Sequence, residues 1–280
     1  MSPARRALVL LLALAFVAAM IVALSASPQE ASASPDSARA AIDQGATPSL
    51  AGAPLREAAA ASDAVPRDVA AAPDAPKPHV VWKRIPFGPR RRNQMAAYSK
   101  RHYGVAAWRL TGPRVIVEHF TGGTSFSAAW NTFASDAKHL GEYPGTCAHF
   151  IIDTDGTIYQ LVPLWIRCRH AMGMNWSAFG IEHVGRSDAA VMGNAREAAS
   201  SYALTLWLVQ RFRLQVRNVI GHAETLMSPY HVEHVAADRC QTHSDFSHGD
   251  MRTYRSRLKH LAYRHHVPVG PPPTWVDSGC

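Results

Sequence analysis

"AHFIIDTDGTIYQLVP", Ala148 to Pro163, is the clearest local signal in the chain. Two apolar runs flank Asp155-Gly156, a pair suited to a type I′ turn because both residues tolerate positive φ. The stretch therefore reads as a β-hairpin. On its N-terminal side, "PRVIVEHFTGG" (113–123) reads as a strand, with β-branched residues entering after Pro113 and glycines closing the run. Between the two, "SAAWNTFASDAKHL" (127–140) has helical spacing, with Trp130, Phe133 and Ala137 on one side. Beyond the hairpin, "FGIEHVG" is a further strand, bounded by Gly180 and Gly185.

From Ala195 to Arg213 apolar residues recur at helical spacing through Ala199, Tyr202, Leu206 and Val209. "RNVIGHAE" is then a short strand ending in Gly221-His222, and "DMRTYRSRLKHLAYR" closes the region as a helix. Strands alternating with helices, plus one hairpin, predict an α/β domain: a mixed central β-sheet flanked by helices. No internal repeat is present.

Composition divides the chain. The first eighty residues are poor in aromatics and rich in Ala, Pro and Ser, whereas the tryptophans and tyrosines lie beyond Val80. A core needs large apolar side chains, so one folded domain is expected at 81–268, followed by a tail at 269–280. Residues 27–80 read as a disordered Ala/Pro/Ser-rich linker. Residues 1–26 read as a signal peptide or a signal anchor: Arg5 and Arg6 precede an uncharged apolar stretch, Ala7 to Leu24. Both alternatives export the domain, whether secreted, periplasmic or held at a membrane facing the wall.

The formal net charge of +8 suits an anionic polymer or lipid surface, or only solubility. Export argues against nucleic acid, for which no recognition motif is present. The four cysteines, Cys147, Cys168, Cys240 and Cys280, show no CxxC pairing. In an oxidising compartment Cys147–Cys168 is the disulfide to test first, since the two flank one strand-turn-strand unit.

Three of the fifteen histidines fall in telling places. His119 and His222 end strands, and His243 lies in the "CQTHSDF" loop before the last helix. Residues at strand ends and in the following loops converge on one edge of an α/β sheet. Three imidazoles converging there, with a fourth position open, match the demands of catalytic zinc.

Taken in order and spacing, "VIVEHFT", "TCAHFIIDTDGTIYQLVP", "RHAMGMNWSAFGIEHVG" and "VIGHAE", with "QTHSDF" behind them, resemble the type 2 N-acetylmuramoyl-L-alanine amidases, which share their fold with the peptidoglycan recognition proteins. The resemblance covers about Arg114 to Leu258. It implies a zinc cleft at one edge of the sheet, with His119 and His222 as ligands to Zn2+. The third ligand is then His243, after Thr242, with Asp245 as the fallback in a longer loop. It implies hydrolysis of the bond between N-acetylmuramic acid and L-alanine in peptidoglycan or muropeptides. The alternative is a binding or recognition protein on the same fold, with weak catalysis or none.

The family's strand glutamate falls on Glu182, expected as general base and then acid. Many members carry a lysine where this chain has Gln241, an amide donor without charge, so Arg169, His170 or Arg239 would have to compensate. His149, next to an Ala148 that replaces a tyrosine of some members, is expected beside the site. His170 and Asn175 are expected along the substrate groove, and Trp130 and Trp176 as platforms for sugar rings. Trp207 reads as core. Strand alternation turns Glu118 away from His119, to the opposite face of the sheet.

Overall fold

The computed structural model describes residues 75–280, so the export segment and most of the linker lie outside the described residues. Six strands form one sheet: β1 (Val80–Trp82), β2 (Val115–Phe120), β3 (Phe150–Ile152), β4 (Ile158–Gln160), β5 (Ala178–His183) and β6 (Val219–Gly221). Their order is β1-β4-β3-β5-β2-β6. All neighbours run parallel except the β3–β4 hairpin, so the sheet is mixed, as expected.

The hairpin forms where the sequence places it, but its turn differs from the expected two-residue loop. The Gly156 N–H donates to Asp153 O at 2.8 Å, and Asp153 N–H to Thr157 O at 2.9 Å. Gly156 alone takes a positive φ, of 88°, so the turn spans Asp153–Gly156 and Asp155 stays outside the left-handed region. The extra residues let the Asp155 side chain accept from Thr157 N–H at 2.8 Å, an alternative that a tighter turn would forfeit.

Five helices cover the sheet: α1 (Pro89–Tyr103), α2 (Phe126–Ser135), α3 (Asp188–Gly193), α4 (Ala195–Arg211) and α5 (His248–Arg264). Helices α2 to α5 start at Ser125, Ser187, Asn194 and Ser247, each accepting a backbone N–H of the first turn. Helix α2 ends at Ser135, short of the expected Leu140, because Asp136 turns left-handed and accepts from Gly145 N–H. Residues 137–146 therefore form a loop that carries His139. Helix α1 and strand β1 lie outside the elements expected from sequence; α1 starts at a proline and ends at left-handed Gly104.

One face of the sheet packs Ile116, Phe150, Ile152, Phe179 and Ile181 against Leu204, Leu208, Tyr254 and Leu258 of α4 and α5. Ala75 already belongs to this core, and Trp207 packs against it. The other face packs Ile151 with Phe133 of α2 and the Cys147–Cys168 disulfide. A second disulfide, Cys240–Cys280, ties the C-terminal tail to the loop before α5. Among the described residues no helix is long and apolar enough to cross a membrane.

Candidate active site

Three adjacent strands aim their C-terminal ends at one cleft. His119 on β2 stands in register with Glu182 on β5, and period-two alternation puts both on the same face. His222 is the first residue beyond β6 and opens a short 3₁₀ turn. That turn is pinned by Glu224, which accepts from Gly221 N–H at 3.1 Å and pairs with Arg255. Gly221 has to be glycine: a Cβ there would stand 1.8 Å from Phe246 O. The close approach brings Asp245 to His222, and Asp188 clamps the same loop by accepting from Phe246 and Ser247 N–H at 2.7 and 2.8 Å.

His119 Nδ1, His222 Nδ1 and the Asp245 carboxylate converge. The two nitrogens are 3.0 Å apart, and the carboxylate oxygens lie 3.2 and 3.3 Å from them. The tautomer of His119 follows from its neighbour. His170 Nε2 lies 3.3 Å from Ala178 O, which can only accept, so that nitrogen carries the proton. His170 Nδ1 then accepts from His119 Nε2–H at 3.0 Å, and His119 Nδ1 is left with a lone pair.

Burial makes an imidazolium costly, and with His222 nearby it lowers the His119 pKa to about 4. A neutral His119 thus turns its Nδ1 lone pair toward the Asp245 carboxylate and His222 Nδ1. Electron-pair donors facing one another in a buried site call for a cation. Ligands on a tetrahedral zinc, with bonds of ~2.0–2.1 Å, stand roughly 3.3 Å apart, close to the spacing here. The donor set fits zinc.

Glu182 faces the same cavity, of about 240 Å³, with His119, His222, Asp245 and His139 around it. No group among the described residues hydrogen-bonds its carboxylate. Burial, aided by the Asp245 charge, raises its pKa to about 8.

The other sequence-predicted residues divide by geometry. His243, the first choice as third ligand, lies outside the converging set: exposed on the rim, it stacks on His222 with ring centroids 4.7 Å apart. Asp245, the fallback, is the residue whose carboxylate converges with His119 and His222. Three residues before it, Thr242 Oγ1 donates to His222 O at 2.9 Å, which orients that backbone. His170 lines the same cavity, with its ring nitrogens engaged by His119 and Ala178 O.

Asn175 does not line the groove. It is buried, accepts from His170 and Ala171 N–H, and donates to Tyr98 and Tyr103 hydroxyls. Buried Arg169 is likewise engaged, donating to Glu142 O, Pro144 O and the Glu142 carboxylate, and His149 is held between Ile166 O and Gly180 N–H. Gln241 lines a small adjoining cleft, while Arg239 is exposed. Trp130 and Trp176 donate their indole N–H groups to Lys83 O and Tyr230 O, so both serve the scaffold. The sequence reading missed His139 and Thr146, which line the cavity from a loop it took partly as helix.

No curated protein matches the chain. Among solved structures, the N-acetylmuramoyl-L-alanine amidase LysC from Clostridium intestinale is 19% identical, with a TM-score of 0.42, covering 65% of this chain and 99% of that one. AmiD from E. coli, solved with anhydro-N-acetylmuramic acid-L-Ala-D-gamma-Glu-L-Lys, is 21% identical at a TM-score of 0.34, over 42% of this chain and 51% of that one. PGRP-SA of Apis mellifera is 19% identical at 0.34, over 41% and 73%. Residues 109–245, which carry His119, Glu182, His222 and Asp245, match the N-acetylmuramoyl-L-alanine amidase family.

Proposed function

We propose that the chain is a zinc-dependent hydrolase of the amide bond between N-acetylmuramic acid and L-alanine in peptidoglycan, exported to reach that substrate. The observation that carries this reading is the convergence of His119 Nδ1, His222 Nδ1 and Asp245 in one cavity with Glu182. His119, His222 and Asp245 would hold the zinc, which would supply a Lewis acid for the scissile carbonyl and for water. His119 and His222 are held ready for it, the first by His170 and the second by Thr242 and the Glu224-pinned turn. Glu182, unpartnered and half-buried beside them, takes the proton from the attacking water and returns it to the leaving amine. Glu182 faces the three donors across one cavity, so positive charge held there would favour its ionised form, the form that accepts a proton.

The test is release of stem peptides that begin with L-alanine from purified peptidoglycan, read by mass spectrometry with and without a chelator. We expect release that stops on chelation and returns with zinc. Sedimentation with the wall but no release from the zinc-loaded protein would replace hydrolysis by recognition.

A further inference from the structure

The end of the sheet opposite the catalytic cleft carries a second feature that hydrolysis does not use. A groove of about 690 Å³ is lined by Leu110, Pro113, Trp165, Phe212, Arg211 and Arg213. It opens beside Pro113, just before β2 begins, whereas His119 lies near the other end of that strand. Six strand residues span about 20 Å, so the two sites face opposite ways.

Trp165 is 42% exposed on the groove wall. The Arg109 guanidinium sits 4.4 Å from the Trp108 ring and 4.7 Å from that of Trp165, with Arg92 on Trp108 at 4.6 Å. Arg109, Arg211 and Arg213 are exposed, and none forms an ion pair with a carboxylate among the described residues. An apolar floor, an exposed indole and three unneutralised guanidinium groups match the level of a bilayer where acyl chains meet anionic headgroups.

The path of the chain points to the same end. Ala75 N–H donates to Gln210 Oε1 at 2.7 Å, and Lys77 lies over Trp207 at 5.3 Å. The segment arriving from the apolar stretch Ala7 to Leu24 thus joins the fold beside Arg211. We propose that this groove is a membrane-docking face that seats anionic phospholipid headgroups, pressing the domain to a bilayer with its catalytic cleft turned outward. Arginine stems lie along the apolar floor while their heads reach the phosphates.

The test uses the full chain carrying Leu12→Glu and Val17→Glu, which disables insertion of the apolar stretch so that vesicle binding reports on the folded face. This parent is compared with the same chain carrying Arg109→Gln, Arg211→Gln and Arg213→Gln, with circular dichroism checking that both fold alike. The parent is expected to sediment with phosphatidylcholine vesicles containing phosphatidylglycerol, weakly with phosphatidylcholine alone, and less at high salt. The three Gln substitutions should weaken that partitioning roughly tenfold or more. Separately, Trp165→Ala in the parent should lose a distinct component of tryptophan quenching by brominated lipid. Equal binding by the Gln variant, or undiminished binding to phosphatidylcholine alone, overturns the proposal. So does a parent that ignores both vesicles but binds soluble poly(glycerol phosphate), which would make the occupant an anionic polymer.

Discussion

Glu118 and Glu182 are carboxylates on neighbouring strands, both raised to about 8 by burial, yet their surroundings give them opposite uses. Glu118 points into the helix-covered core, where Oε1 accepts from Thr205 and Tyr254 hydroxyls at 2.9 and 3.1 Å. Glu182 points into the cleft with its oxygens unclaimed. For Glu118, a folded pKa of about 8 against 4.5 means that the native state binds the extra proton between those values. Stability therefore falls as pH rises through that window. Glu118→Gln, neutral at every pH, is expected to flatten the fall and to raise Tm relative to the parent at the alkaline end, as thermal melts across pH will show. Glu182→Gln is expected to keep bound zinc while lowering peptide release by ~10²–10⁴-fold, the usual worth of a general acid–base group. The third ligand separates in the same way: Asp245→Ala should lose zinc by elemental analysis, whereas His243→Ala, on the rim, should retain it.

Strands β2 and β5 give the site its precision, through a register that sets His119 beside Glu182. Gly180, one alternation earlier on β5, leaves room for the His170 ring: a Cβ there would stand 2.6 Å from it. Gly180→Ala should push His170 off His119 Nε2, weakening zinc affinity by ~10–100-fold in a metal-buffered titration while leaving all three ligands in place. These strands were legible because β-branched runs ended by glycine leave few other readings, and α4 and α5 because their apolar stripes are long. Helix α1 was not, since its buried stripe mixes Met95 and Tyr98 with Arg91, Ser99 and His102. Such a stripe works only because partners far along the chain satisfy it, as Glu233 and Glu142 do for His102 at 2.9 and 2.8 Å. The hairpin was found but not its turn, because Asp-Gly is compatible with several loop lengths and the choice is made by tertiary fit.

For the molecule as a whole, His119, His222 and Glu182 could be placed from sequence because strand ends carry them to one edge. Asp245 could not be chosen over His243, since it reaches the cleft through the Gly221–Phe246 contact and the Asp188 clamp. The tail was equally opaque: nothing in its composition announces that Cys280 returns to Cys240. One consequence concerns when the metal arrives. Strand β2 is hydrogen-bonded on both sides and buried from Val115 to His119, Gly221 is locked under the Phe246 backbone, and His170 orients its neighbour without help from an ion. In a zinc finger the ion is the keystone, and the chain collapses without it. Here the vessel is finished first. Chelated protein is therefore expected to unfold in one cooperative transition, at a somewhat lower Tm from lost binding alone, and to regain peptide release when zinc is added back without refolding. Metal supply would then act on this protein as a reversible throttle, setting how many copies cut at a given moment and leaving the number of folded copies unchanged.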